Sequence, residues 1–465
     1  MALILRDVEV AGEVVDVTVS QGLVREVRPG LSPSGGDDLV DGQGGALLPG
    51  LHDHHLHLLA LAAAQSSVRC GPPEVATPDE LATALRAAVR DPVPGGWVRG
   101  VGYHESVAGL PDRDVLDAYV AAVPLRVQDR TGRLWVLNSA AIERLGLESA
   151  DDACIERDAS GRVTGRIWRG DDLLRERLGS PPPDLSVVGS RLACWGVTGV
   201  TDATATNDGT SVGLLAGAQR TGALPQRVRV MGPHGLRFDA GDRLVPGEVK
   251  VLLDEDRLPS VEELGAVVRS AHGSGRRVAV HCVTAAQLFL AVQAFEEAGA
   301  RADRIEHASV VPGAAVGDLR RLGLRVVTQP GFVAERGDRY RRDVDEHDRG
   351  DLYPLRRLLA AGVGVGGSTD APFTSPDPWA AMRAAVDRRC RDGAVLLPGE
   401  RLAPAEALGL FLRHPDDVGR IRRVEPGAPA DLVLLGAPLG VVLERLVASD
   451  VVLTMVGGEV IHDAR

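Results

Sequence analysis

Apolar and polar residues alternate in short runs at the start of the chain: "ALILRDVEV", "EVVDVTVS" and "LVREVRP". A period of two puts one face of a strand on a core and the other in water. Residues 3–28 therefore predict small antiparallel strands, followed by a loop rich in Gly, Ser and Asp at 30–45. The last stretch, "DLVLLGAPL" to "VVLTMVGGEVIHDAR" within 431–465, has the same strand-and-turn character. Between these ends the pattern changes. Apolar β-type runs occur at 47–52, 196–202, 227–231, 248–253, 277–281, 303–308, 324–328 and 362–366. Continuous apolar strands of this kind belong to a parallel sheet covered on both faces. Helical stretches lie between several of them. Ser260-x-x-Glu263 and Thr284-x-x-Gln287 are capping boxes, and Gly299 suits a helix stop.

Residues 60–190 break this rhythm. They hold a helix starting at Thr77-Pro78-Asp79-Glu80, extra strands and the Pro181–Pro183 run. The expected fold is α/β: a distorted (β/α)8 TIM barrel with a small β-sandwich built from both chain ends. The predicted domains are a first sandwich part at 1–48, the barrel at 49–420 with 60–190 inserted after its first strand, and a second sandwich part at 421–465.

Composition narrows the function. The 465 residues are 44% hydrophobic and 25% charged, ordinary for a globular protein. No run approaches the ~20 apolar residues of a membrane span. The N-terminus has no basic region before an apolar run, so it reads as a first strand and not a leader. A net charge of −12 argues against a nucleic-acid or anionic-membrane partner, since both need a basic face. Cys70, Cys154, Cys194, Cys282 and Cys390 form no CxxC pair, which disfavours a thiolate zinc site and suggests a reducing cytoplasm. A small-molecule substrate is expected, and a homodimer is compatible with the chain.

The chemistry sits at predicted strand ends. "LPGLHDHHLHL" (48–58) puts His55 and His57 two apart, on one face, with Asp53 behind them. His52 and His54 would face away. A His-x-His pair at a strand end is a natural metal chelate, because neutral imidazole suits zinc and similar ions. "RRVAVHCVT" ends a strand in His281, "ADRIEHASV" in His307, and "GVGVGGSTDAP" in Asp370. The C-terminal rim is where barrel active sites assemble.

Lys250 stands in the apolar run "EVKVLL", and it is the single lysine among 52 lysines and arginines. A buried lysine can lose its proton, whereas arginine cannot. A neutral lysine amine can take up carbon dioxide as a carbamate, an anionic ligand able to bridge two metals. An ion pair with Asp370 or Glu248 is the plainer alternative.

On these segments, with "GVTGVTDAT" (196–204), "EPGAPADLVLL" and "LTMVGGEVI", the whole chain resembles the amidohydrolase superfamily of metal-dependent hydrolases. It is most similar to the YtcJ-like branch, which includes N-substituted formamide deformylases. The resemblance implies a first divalent metal, zinc by default, on His55, His57 and Asp370. It implies a carboxylated Lys250 bridging to a second ion on His281 and His307, with one or two ions present. It also implies hydrolysis of an amide-type C–N bond by metal-activated hydroxide, with Asp370 as general base and then acid.

The insertion departs from the branch. Arg133 stands where the branch has a histidine, and Trp168-Arg169 where a glutamate is expected. Tyr103, His104, Arg133, Trp135 and Trp168 are the candidate substrate-binding residues. A lactone or ester hydrolase and a deaminase remain open. Gln287, with no Glu shortly after His281, counts against the deaminase. A silent binding homologue would show a broken ligand set, and all six positions are intact.

Overall fold

The structure is a computed structural model that describes residues 2–90, 96–179, 182–255 and 257–465. Pro181, the first of the predicted proline run, lies outside the described residues. By contacts the chain divides into two compact units, 1–58 with 185–465, and 59–184.

The first unit is built on eight parallel strands. Leu51–Leu56, Val197–Asp202, Arg227–Gly232, Leu244–Val251, Val278–Cys282, Arg304–His307, Arg325–Thr328 and Gly364–Gly367 pair in that order. The sheet nearly closes. Just past the eighth strand, Asp370 donates its N–H to His55 O at 2.7 Å, and His57 donates to Ala371 O at 2.9 Å. Asp53 braces the same seam by accepting from the Thr369 N–H at 3.1 Å and its hydroxyl at 2.5 Å. It also accepts the His55 N–H at 3.1 Å.

Removing Asp53 would leave these buried donors unanswered. Asp53→Ala should therefore cost about 2–4 kcal/mol of stability. A urea midpoint shift at unchanged slope would report it. A loss under about 1 kcal/mol would mean the seam holds without this carboxylate.

The apolar run predicted as one strand at 47–52 is two. Leu47–Pro49 pairs antiparallel with Leu432–Leu435, whereas Leu51–Leu56 begins the barrel. The chain crosses between sheets at Gly50, where a Cβ would stand 2.1 Å from Thr198 Cγ2. Glycine permits that close approach. Leu47–Pro49 joins Leu432–Leu435, Val451–Val456 and Glu459–Asp463 in one four-stranded sheet. Leu3–Val10, Glu13–Ser20, Leu23–Arg28 and Asp38–Asp41 form the other. Leu5, Val17, Val40, Leu47, Leu432, Leu453 and Met455 share one buried core between them.

The predicted helix starts are present. Ser260 and Glu263 cap Val261–Gly273 reciprocally, and Thr284 and Gln287 do the same for Ala285–Ala298. In the second unit, Thr77 and Glu80 cap Pro78–Arg90 in the same way. That unit is a six-stranded sheet with one core on Leu81, Leu85 and Val127 and another on Trp97, Ile142 and Ile167. Among the described residues no helix is long and apolar enough to cross a membrane.

Candidate metal centre

Strict alternation would put His55 and His54 on opposite faces of the first barrel strand. The register prevents this. Asp53 pairs with Val200, but Leu56 pairs with Asp202, so one extra residue bulges into the first strand. Both histidines then turn inward. His55 Nδ1 donates to Glu306, on the sixth strand across the barrel. The His54 ring lies against Gly366, which shares its inward face with Val327 and Glu306. His52 and His54, expected to face away, thus line the barrel interior below the rim. His52 Nε2 meets Thr201 Oγ1 at 3.0 Å, and both His54 nitrogens are buried without a hydrogen-bond partner. Burial holds both imidazoles well below their usual pKa, so they stay neutral.

Backbone strain completes the cluster. His307 follows Glu306 and would face outward in a regular strand. Its φ of 67° lies in the left-handed region and swings it inward. Asp370, at φ 58°, is turned in the same way. The His307 ring then lies 4.8 Å from His55 and 4.4 Å from His281, centroid to centroid. Asp370 Oδ1 is 3.4 Å from His55 Nε2 and 3.1 Å from His57 Nε2. His55, His57 and Asp370 offer ligand atoms all within 4.8 Å of one another, a spacing that one metal ion can span.

Outer partners fix which ring nitrogen faces this space. Glu306 takes His55 Nδ1, Thr204 Oγ1 meets His57 Nδ1 at 2.9 Å, and Gln329 Oε1 meets His307 Nδ1 at 2.9 Å. Each leaves Nε2 available, the usual arrangement behind a metal-bound histidine. Burial keeps His55 and His307 well below the ordinary imidazole pKa, in the neutral form that can ligate. Lys250 Nζ is buried and makes no hydrogen bond. Burial pulls its pKa down, against the opposing charges of Glu306 and Asp370.

Glu306 was not singled out in the sequence. The signal available was two charged residues, Arg304 and Glu306, on one face of a fully buried strand. Arg304 Nε donates to Glu306 Oε1 at 2.8 Å, and Arg304 Nη2 to His54 O at 2.8 Å. Glu306→Gln should weaken metal affinity about 10–100-fold, read by competition with a chelator. Unchanged affinity would remove Glu306 from the orientation of His55.

The five insertion candidates sit as follows. Tyr103 is buried and donates its hydroxyl to Gly109 O at 2.7 Å. His104 Nδ1 accepts the Ser106 N–H at 3.0 Å and caps Glu105–Ala108. Trp135 is buried, donates to Asp171 Oδ1 at 2.8 Å, and has the Arg99 and Arg126 guanidiniums over its ring. Trp168 is exposed and bonds Glu156 Oε2 at 2.9 Å. Arg133 is exposed.

An eight-stranded parallel barrel with clustered His and Asp side chains at its C-terminal rim defines a class of metal-dependent hydrolases. Within that class the chain belongs to the amidohydrolase family, whose model matches residues 38–462. It falls in the YtcJ-like branch. It is 27% identical to an N-substituted formamide deformylase of Arthrobacter pascens, over 89% of this chain and 87% of that protein. It is 23% identical to the amidohydrolase YtcJ of Bacillus subtilis strain 168, over 90% of this chain and 89% of that one. In fold it is similar to a metal-dependent hydrolase from Pyrococcus horikoshii OT3, with a TM-score of 0.77 and 23% identity, over 94% of this chain and 97% of the other. It is also similar to N-isopropylammelide isopropylaminohydrolase from Burkholderia multivorans, with a TM-score of 0.56 and 17% identity, over 100% of this chain and 99% of the other.

Proposed function

We propose that this amidohydrolase, a hydrolase of C–N bonds, cleaves a formamide, an N-acyl amide or a cyclic amide of a small molecule, with Asp370 carrying the proton. The observation that carries the reading is the convergence of His55, His57 and Asp370 at the barrel rim. The family and the donor chemistry both suit a divalent metal, and imidazole with carboxylate favours zinc, manganese or iron. His55, His57 and Asp370 would hold one ion. His281 and His307 would hold another, with Lys250 as a carbamate between the two. The unbonded, buried Lys250 amine fits that role.

A bound metal would supply Lewis acidity there, making a water molecule easier to deprotonate and the substrate carbonyl more electrophilic. The side chains do the rest. Glu306, Thr204 and Gln329 lock the imidazoles in one orientation. Asp370 accepts a proton from the attacking water. It then returns that proton to the leaving nitrogen, as general base and then acid.

The test is a turnover panel: an N-alkylformamide, an N-acyl amino acid, a cyclic amide and a lactone, with product followed directly. Turnover of any of the three amides supports the reading. Turnover of the lactone alone would overturn it in favour of an ester hydrolase.

A further inference from the structure

A cavity of about 370 Å³ lies at the end of the barrel opposite the donor cluster. Its wall includes Arg229 on the third strand, Glu248 on the fourth, Arg276 and Arg277 just before the fifth, and Arg237. Four arginines therefore line one hollow in a protein of net charge −12. Two carboxylates answer them. Glu248 is in the wall, and Asp416 pairs with Arg229. That leaves two positive charges unbalanced.

The hydrogen bonds already made do not remove this excess. Arg276 donates to the carbonyls of Gly247, Glu248 and Pro233 at 3.0, 2.9 and 3.2 Å. Arg277 donates to Asp416 O at 2.7 Å. Carbonyl oxygens satisfy donors but leave the guanidinium charge in place. Arg229 Nε is buried and has no partner. Burial lowers the pKa of Arg229 and Arg276, neighbouring arginines lower both further, and Glu248 opposes the shift.

We propose that this cavity binds a small organic dianion, a phosphate monoester or a dicarboxylate with a short apolar body. Two charges match the two unbalanced guanidiniums, and planar N–H forks suit either head group. Leu236, Phe238 and Pro246 give the apolar body a wall. The volume falls in the range of small-ligand sites. The site is separate from the donor cluster, yet adjoins it through charge. Glu248 Oε2 stands 3.8 Å from Arg304 Nη1, and Arg304 bonds the Glu306 that holds His55.

The test is titration calorimetry on the metal-loaded enzyme with phenyl phosphate, succinate and inorganic phosphate at constant ionic strength. Wild type is compared with Arg237→Gln/Arg277→Gln, neither residue having a part in the donor cluster. Phenyl phosphate or succinate should bind one per chain, and the double variant should lose about tenfold or more in affinity with hydrolysis unchanged. A stronger phenyl phosphate response assigns a phosphate head group, and a stronger succinate response a carboxylate pair. No saturable binding at about 10 mM, weaker than the millimolar affinities that calorimetry reads, overturns the proposal. So does equal binding by both proteins, which would put the anion elsewhere, for instance at the metal. If the double variant fails a thermal-unfolding check, Arg237→Gln, at an exposed position, carries the comparison.

Discussion

Asp370→Asn should lower kcat by about a thousandfold or more, because general acid–base catalysis alone is worth roughly 10²–10⁴. Asparagine keeps the shape but cannot accept and return a proton at neutral pH. It also weakens one member of the donor cluster, in which Asp370 Oδ1 stands 3.1 Å from His57 Nε2. The measurement is kcat and KM on the best substrate of the panel, with metal per chain by elemental analysis on the same samples. A collapse in kcat with metal retained assigns the proton transfer to Asp370. A collapse with metal lost assigns it chiefly to ligation. A rise in KM with kcat intact would remove Asp370 from the chemistry altogether.

The second large effect belongs to Lys250. Lys250→Ala and Lys250→Arg, prepared with bicarbonate and zinc, should both fall from about two metals per chain to one or none. Activity should fall with them by about 10²–10³-fold, the scale expected when electrostatic stabilisation of a transition state is lost. The arginine variant is the sharper one. It keeps the positive charge that an ion pair would need, but cannot be deprotonated to form a carbamate. Loss in both variants supports the bridge. Retention of two metals in Lys250→Arg would make the lysine an ordinary cation. Incorporation of labelled carbon dioxide, read by carbon-13 resonance, tests the same point without activity.

Much of the molecule could be read from the chain because its signals are local. Most barrel strands fall within a short apolar run, so hydrophobic patterning finds them without knowing their neighbours, whereas the first, LHDHHL, lies largely beyond its run. The capping boxes at Ser260 and Thr284 are equally local, since four consecutive residues satisfy each other. The spacing of His55 and His57, and Asp370 just past an apolar run, marked candidate metal ligands in the sequence.

What alternation could not supply were the positions where alternation fails. The bulge after Asp53 depends on how the first strand registers against Val200 and Asp202, about 150 residues away. It turned His54 inward when a regular strand would have turned it out. The left-handed backbone at His307 likewise places two successive residues, Glu306 and His307, on one face. The split of 47–52 at Gly50 came from a side chain on another strand, Thr198.

The sequence by itself therefore determined most of the barrel strands, the two β-rich ends, the helix starts and the residue types that a metal-assisted hydrolysis would need. These follow from periodicity and side-chain chemistry, which every short window of the chain carries. Only the tertiary structure decided which faces those residues take, that Glu306 holds His55, and that four arginines share a hollow at the far end of the barrel. Those outcomes depend on strand register and on contacts between residues distant in sequence. Folding sets both through the packing of the whole barrel.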